Sequence, residues 1–490
     1  MKARLIKETR ALLPMLLGTL LLIAAPCLIW HSYAEGVSYV AFGLGCVVLG
    51  GCSLGNEFQH RTLSLLLSQP IERSVLWREK MLVLGASLGM SLGVLLVCLW
   101  VTHPGINPQW WQVGLVALCA FCGAPYWTLL LRQGIGGMAF AAAVPVLIML
   151  TARLVSDRVV ETRAVHGYPA LGALLIYCAL VHGLGYSRFR RLQVVDGASA
   201  ELALPAGLED KLSRPLSRIA ARFRGPFASL LKKELRLQQI SFLLAGLFVL
   251  IALTGACLIR FQSEWGRNVL GGDYIIYVII LPLIAGAVSV AEEKGWDLAE
   301  WHLTLPPSAL KQWSAKMLAA LSTSLVLGLV LPAVLFLAGQ ALLAQGGIRT
   351  SVPTASQVLC WVLGQLLLTS VAVYAGSFSK STLRSILAAV VILAAGGVVL
   401  WLAETGVNEF DPGPRDHPHL EEWLILPLLS GALVFMLCLI QWFAWSNSRR
   451  CGVPARRLLV QLTAIFLSVY LSVWLIAWIF FSALAFARYN

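Results

Sequence analysis

Charge is what this chain has least of: Asp, Glu, Lys and Arg make up 12% of its 490 residues, about half the share usual in a soluble domain. With 58% hydrophobic residues and a mean hydropathy of +0.79, that scarcity excludes a soluble globular protein and places the chain in a bilayer. Carboxylates are nearly missing from the apolar runs. An intramembrane enzyme, which needs paired aspartates or a Ser–His pair at matched depth, is therefore not expected. Nor is a transporter driven by an ion gradient, which buries an ionisable group near the midplane of a span. A phosphate-cradling G-x-x-x-x-G-K-[ST] loop is also lacking. The nearest approach, Gly376-Ser377-Phe378-Ser379-Lys380-Ser381-Thr382, has no glycine directly before its lysine and abuts an apolar run. The chain is not expected to hydrolyse nucleotide, and no catalytic residue, bound cofactor or metal is expected of it. Its eleven cysteines fall almost entirely inside apolar runs, where a small apolar residue packs well, so disulfides are not expected.

What is present is apolar sequence in membrane-sized pieces. A spanning helix needs about 20 mostly apolar residues to cross a hydrocarbon core of roughly 30 Å, and its backbone polar groups must pair internally. Such runs occupy residues 12–30, 37–54, 81–101, 110–131, 135–155 and 168–187 in one half of the chain. Six more follow in the same rhythm at 240–259, 273–290, 318–343, 357–378, 385–403 and 423–445. A last run at 458–487 has no counterpart in the first half and is long enough to span with some tilt. The expected fold is an all-α polytopic membrane protein with twelve or thirteen helices in two tandem pseudo-repeats. The first apolar run is too long for a cleavable signal and lacks a small-residue cleavage pattern, so it is expected to be a genuine span.

The two halves are related by sequence. Residues 56–82 read NEFQHRTLSLLLSQPIERSVLWREKML, and residues 292–318 read EEKGWDLAEWHLTLPPSALKQWSAKML. Without a gap, Glu57, Pro70, Trp77 and Lys80-Met81-Leu82 align with Glu293, Pro306, Trp313 and Lys316-Met317-Leu318, each 236 residues on. Lys7-Glu8-Thr9-Arg10 before the first span resembles Lys233-Glu234-Leu235-Arg236 before the seventh, and basic stretches at 186–191 and 445–450 close each half. The chain therefore reads as an internal duplication. It comprises a first unit at 1–191, a polar linker at 192–231, a second unit at 232–450 and an extra helix at 451–490.

Lysine and arginine fix the expected orientation. With the N-terminus cytoplasmic, 29 of the 37 basic residues fall in inner segments and 8 outside. The same asymmetry accounts for the net charge of +13 through contact with anionic lipid, with no nucleic-acid partner needed. Both repeat windows then lie in cytoplasmic loops between the second and third spans of their halves. Each begins with a carboxylate at a span end and continues through a short leucine-rich stretch. It breaks at Pro70 or Pro306, where the ring ends a helix, and re-enters at Lys80 or Lys316. The result is a helical elbow at the membrane surface, built to carry a push into two attached spans.

The first window, through Glu57, Arg61-Thr62-Leu63, Leu65-Leu66-Leu67-Ser68, Pro70-Ile71, Arg73 and Lys80, resembles the type-2 permeases of ABC (ATP-binding cassette) transporters. The second keeps Glu293, Leu303, Pro306 and Lys316 but carries Leu298, Thr304 and Ala309 at the threonine, serine and arginine positions, so this elbow is degenerate. The resemblance implies two six-span permease units fused in one chain of the plasma (inner) membrane. It also implies export, driven by separate ATP-binding subunits, two copies per chain, that carry the ATP and Mg. Coupling to them would rest on Glu57, Arg61, Thr62, Leu66, Pro70, Arg73 and Lys80 in the first elbow, and on Glu293, Trp296, Pro306 and Lys316 in the second. The basic stretches before the first and seventh spans resemble the family's amphipathic connecting helices. A non-transporting membrane scaffold with a permease-like fold and a gradient-driven transporter are the alternatives.

Other residues carry two readings each. Glu57 and Glu293 are coupling residues or helix-end carboxylates at the water boundary. Gln365, Thr369 and Tyr374 recur near helical spacing and line a translocation path or hydrogen-bond helix to helix. Cys119 and Cys122 have metal or redox spacing but lie mid-span without histidine, as core residues do. His417 and His419, with Asp411, Asp416, Glu421 and Glu422, form a metal site or a solvated outer loop. His182 and His302 sit near span ends as interfacial polar residues.

Overall fold

The computed structural model describes residues 2–29, 34–59, 62–102, 110–159, 168–192, 226–260, 264–295, 308–343, 355–379, 381–408, 426–450 and 452–489. In chain order the helices are α1 (Lys2–Ile29), α2 (Ala34–Gln59), α3 (Leu63–Leu67), α4 (Arg73–Thr102), α5 (Trp110–Leu131), α6 (Gly134–Val159) and α7 (Tyr168–Arg190). They continue as α8 (Pro226–Leu237), α9 (Gln239–Arg260), α10 (Glu264–Gly295), α11 (Ala309–Leu325), a π-helical turn (Val326–Val330), α12 (Leu331–Leu343), α13 (Ala355–Phe378), α14 (Thr382–Asn408), α15 (Leu426–Ser448) and α16 (Ala455–Tyr489). No strand occurs among the described residues. Among the described residues thirteen helical stretches are long and apolar enough to cross a membrane, and each apolar run read from the sequence falls on one of them. Outward-facing side chains such as Trp100, Leu21 and Trp478 are apolar and exposed, as they are when lipid is the solvent.

Two boundaries differ from the sequence reading. α4 starts at Arg73 rather than at residue 81, which places Lys80 about two turns inside the helix. The stretch 226–231, read as linker, is already helical in α8, where Leu230, Leu231 and Leu235 alternate with Lys232, Lys233 and Glu234. The two basic entrances also differ in form. α1 runs unbroken through Lys7 to Arg10, whereas α8 and α9 meet at Gln238, whose amide is buried and donates to Ala285 O at 2.9 Å.

Contacts divide the chain into two compact units: Met1–Pro215 with Gly246–Asp273, and Leu216–Ala245 with Tyr274–Asn490. In the first, α2 packs against α1, α4, α5 and α6. Glycine makes the closest approach possible: a Cβ at Gly50 would lie 2.6 Å from the Ala124 Cβ and 3.0 Å from Ala120 O. In the second unit Gly286, the repeat equivalent of Gly50, sets α10 against α13, where a Cβ would lie 2.8 Å from that of Ala372 and collide with Thr369 O. Small residues at such crossings let backbones meet, and dispersion and hydrogen bonding replace the missing hydrophobic drive. α16 is fastened into the second unit by polar groups. Tyr374 Oη donates to Gln461 Oε1 at 3.2 Å, and Asn447 and Gln461 exchange amide hydrogen bonds at 2.9 and 3.1 Å.

Candidate functional site

The first elbow is a short helix and a turn between two long helices, exposed at Leu65, Ser68, Pro70 and Glu72. α2 continues to Gln59, so Glu57 lies in its last turn. The Thr62 backbone N–H donates to Glu57 O at 3.0 Å, and the Thr62 hydroxyl closes on the Glu57 carboxylate. α3 is five residues long, with Leu66 turned inward and Leu65 outward. A turn over residues 68–72 with Pro70 exposed then leads into α4. At its start the Arg73 guanidinium donates to Arg190 O (2.6 Å) and Leu192 O (2.8 Å), filling carbonyls that the end of α7 leaves open. One turn on, Trp77 is buried against Phe189, His182 and Tyr186 of α7.

Beneath the elbow lies Lys80, 3% exposed. Its ammonium donates to Glu8 on α1 (2.7 Å), to Glu57 on α2 (3.2 Å) and to Ser53 O on α2 (3.3 Å). Lys7 reaches Glu57 at 3.8 Å, and Arg4 binds Glu79 at 3.0 Å, so α1 and α4 are joined twice. Two lysines and two glutamates make the inner cluster neutral, as burial demands, since an unpaired charge there costs several kcal/mol.

The second unit repeats the construction. Lys316 on α11 donates to Glu293 and to Ser289 O (3.4 Å) on α10, and pairs with Glu234 on α8 at 3.3 Å. Lys233 donates to Glu293 at 2.6 Å. In both units the lysine reaches back 27 residues for the serine carbonyl and 23 for the glutamate. The Lys-Glu dipeptide of the preceding helix completes each clasp. The differences compensate: position 298, equivalent to Thr62, is a leucine without a hydroxyl, and Lys233 stands closer to Glu293 than Lys7 does to Glu57. Burial pushes the Glu234 carboxyl up to about 7, helped by repulsion from Glu293 and opposed by Lys316 and Lys233.

Of the residues singled out from sequence, Glu57, Thr62 and Lys80 converge, as do Glu293 and Lys316. Leu66, Pro70 and Arg73 form the elbow and its exit. Arg61, Trp296 and Pro306 lie outside the described residues, as do His302, His417 and His419 with their neighbouring carboxylates. The sequence reading missed Glu8 and Glu234 as partners. The signal was there, in two Lys-Glu dipeptides and two Glu–Lys pairs at constant separation in a chain poor in charge.

Gln365, Thr369 and Tyr374 are buried within the second unit and bonded between helices. Gln365 Nε2 donates to Val278 O at 2.8 Å, and Thr369 Oγ1 to Ser324 Oγ at 2.7 Å. The π turn beside them leaves Leu327 O to the Tyr277 hydroxyl at 2.9 Å. Cys119 meets Cys178 of α7 with sulfurs 3.6 Å apart inside an apolar cluster with Leu174, Tyr177 and Val181. No group of side chains suited to hold a metal occurs among the described residues. Gly376 and Phe378 are helical, and a Cβ at Gly376 would press on Val290 and Ser385, so this stretch is packed rather than a loop.

No family model, no curated protein and no solved structure matches the chain. Fold and site define the class at its coarser level: an all-helical, multi-pass membrane protein.

Proposed function

We propose that the chain is the membrane-spanning permease subunit of an ATP-driven ABC exporter, moved by separate ATP-binding subunits through the elbow at 57–80 and its counterpart at 293–316. The observation that carries this reading is the recurrence, in both units, of a buried lysine that clasps carboxylates from two other helices. In the first unit that lysine lies directly beneath the exposed elbow. A force applied to such an elbow reaches three helices together, because opening the clasp would leave buried charge unpaired. The partner's closure on ATP acts only if it favours one permease conformation over the other. The basic asymmetry supports a cytoplasmic N-terminus and elbows facing the ATPase, with two ATPase copies serving two elbows. Sparse intramembrane charge suits an amphipathic or apolar cargo moving outward across the plasma membrane.

The test is purification of the tagged full chain in mild detergent from its native host, with mass spectrometry of what accompanies it. An ATP-binding-cassette subunit is expected, and it is expected to be lost when Glu57 and Arg61 are both replaced by alanine while membrane insertion is unchanged. A preparation free of any such ATPase would refute the reading and favour the scaffold.

A further inference from the structure

Away from the clasps, three arginines surround one cleft in the first unit. Its volume is about 370 Å³, and it lies where the ends of α5 and α7 meet, lined by Tyr126, Arg132, Leu184, Ser187, Arg188 and Arg191. Among the described residues no carboxylate pairs with any of these guanidiniums, whereas the buried charges Glu57, Glu79 and Lys80 beneath the elbow are all matched. Arg132 ends α5 in the left-handed conformation, φ 53°, where a glycine would sit without strain. From that turn its side chain lines the cleft.

What lies above the arginines on α7 indicates the occupant. Ile176, Leu180 and Leu184 are exposed, and with Arg188 they follow at intervals of four, so all lie on one helix face. The face thus runs from an outward apolar stripe into a cationic cleft. An acyl chain along the stripe would place its headgroup among the guanidiniums, whose planar donors match phosphate oxygens in pairs.

We propose that this cleft binds a phosphate-bearing anion, and that its occupant is the headgroup of an anionic phospholipid whose chains lie along Ile176, Leu180 and Leu184. The site rests on the membrane class of the protein and is independent of the transporter reading. Because Arg73 ties the start of α4 to the same end of α7, the bound lipid steadies the helix end on which the elbow's exit leans.

The test is native mass spectrometry of the full chain in mild detergent, titrated with short-chain phosphatidylglycerol, phosphatidylcholine or inorganic phosphate. Each basic residue at an anionic surface contributes about fivefold to affinity. Replacing Arg132, Arg188 and Arg191 by glutamine is therefore expected to weaken phosphatidylglycerol binding roughly a hundredfold. A control of equal charge, with Arg384, Arg450 and Arg456 changed to glutamine, is expected to bind like the parent, and phosphatidylcholine to bind weakly throughout. Undiminished binding by the first variant, or equal loss in the control, overturns the site. Displacement of the lipid by millimolar inorganic phosphate overturns the lipid assignment and leaves a soluble phosphate as the ligand. If the triple variant does not fold, Arg188→Gln alone carries the test, with about a fivefold loss expected.

Discussion

Replacing Lys80 by methionine keeps the length of the side chain and removes the ammonium that joins α1, α2 and α4. Three oxygens lose their donor: Glu8 at 2.7 Å, Glu57 at 3.2 Å and Ser53 O at 3.3 Å. The cluster passes from neutral to one excess negative charge, and both carboxylates are largely shielded, with side chains 13% and 9% exposed. Removing one partner of a buried pair costs about 3–5 kcal/mol. Lys7, 3.8 Å from Glu57, remains to pair with that carboxylate, so the lower end, about 3 kcal/mol, applies. At about 2–4 °C per kcal/mol for a unit of this size, the melting midpoint in detergent is expected to fall by roughly 6–12 °C. Adding Glu8→Gln restores neutrality, since Lys7 and Glu57 then balance, so the double variant should melt above Lys80→Met alone despite carrying one more substitution. Lys311→Met, at an exposed lysine, serves as the control. A Lys80→Met protein that melts within a degree of the parent, or a double variant that loses the sum of the two single losses, would refute the argument that charge pairing holds these helices together.

Other outcomes follow from the same geometry. Glu234 binds its proton more tightly in the fold than in the open chain, so it stabilises the fold below about 4.5 and that contribution is lost as pH rises through about 7; Glu234→Gln is expected to flatten the fall in melting midpoint between pH 5 and 8. Gly286→Ala and Gly50→Ala, which drive a Cβ into the facing helix, are each expected to cost about 1–3 kcal/mol by thermal melting. Gly246→Ala, with open space around it, is expected to be neutral or slightly stabilising. Gln461→Leu strips Tyr374 and Asn447 of buried partners, and a protease added to the detergent-solubilised protein is expected to release α16 sooner than in the parent.

Element by element, the membrane helices were legible because lipid imposes one rule everywhere: about 20 apolar residues with internally paired backbone. Their ends were less so. α4 begins eight residues before its apolar run because amphipathic sequence from Arg73 to Lys80 continues a helix as readily as apolar sequence does, provided Trp77 and Lys80 find buried partners. The start of α8 was hidden by its charges, which a composition reading assigns to a linker. Cys178 was invisible as a neighbour of Cys119 because nothing in either apolar run marks which face meets which.

The clasps show where the limit lies. Repetition exposed Glu57 and Lys80, and Glu293 and Lys316, as pairs at one fixed spacing, but separation along a chain says nothing about distance across a loop. Physical chemistry supplies the missing step. A lysine inside a stretch that packs against other spans cannot remain unpaired, so its presence at position 80 requires a carboxylate within reach, and the duplicated Lys-Glu dipeptides are the charges available on the preceding helix. Arg132, Arg188 and Arg191 are a different case: they are exposed, and among the described residues no carboxylate pairs with them. Both clasps match their buried lysines with carboxylates, whereas these three arginines stand exposed around one cleft; the proposed headgroup is the anion that fits them.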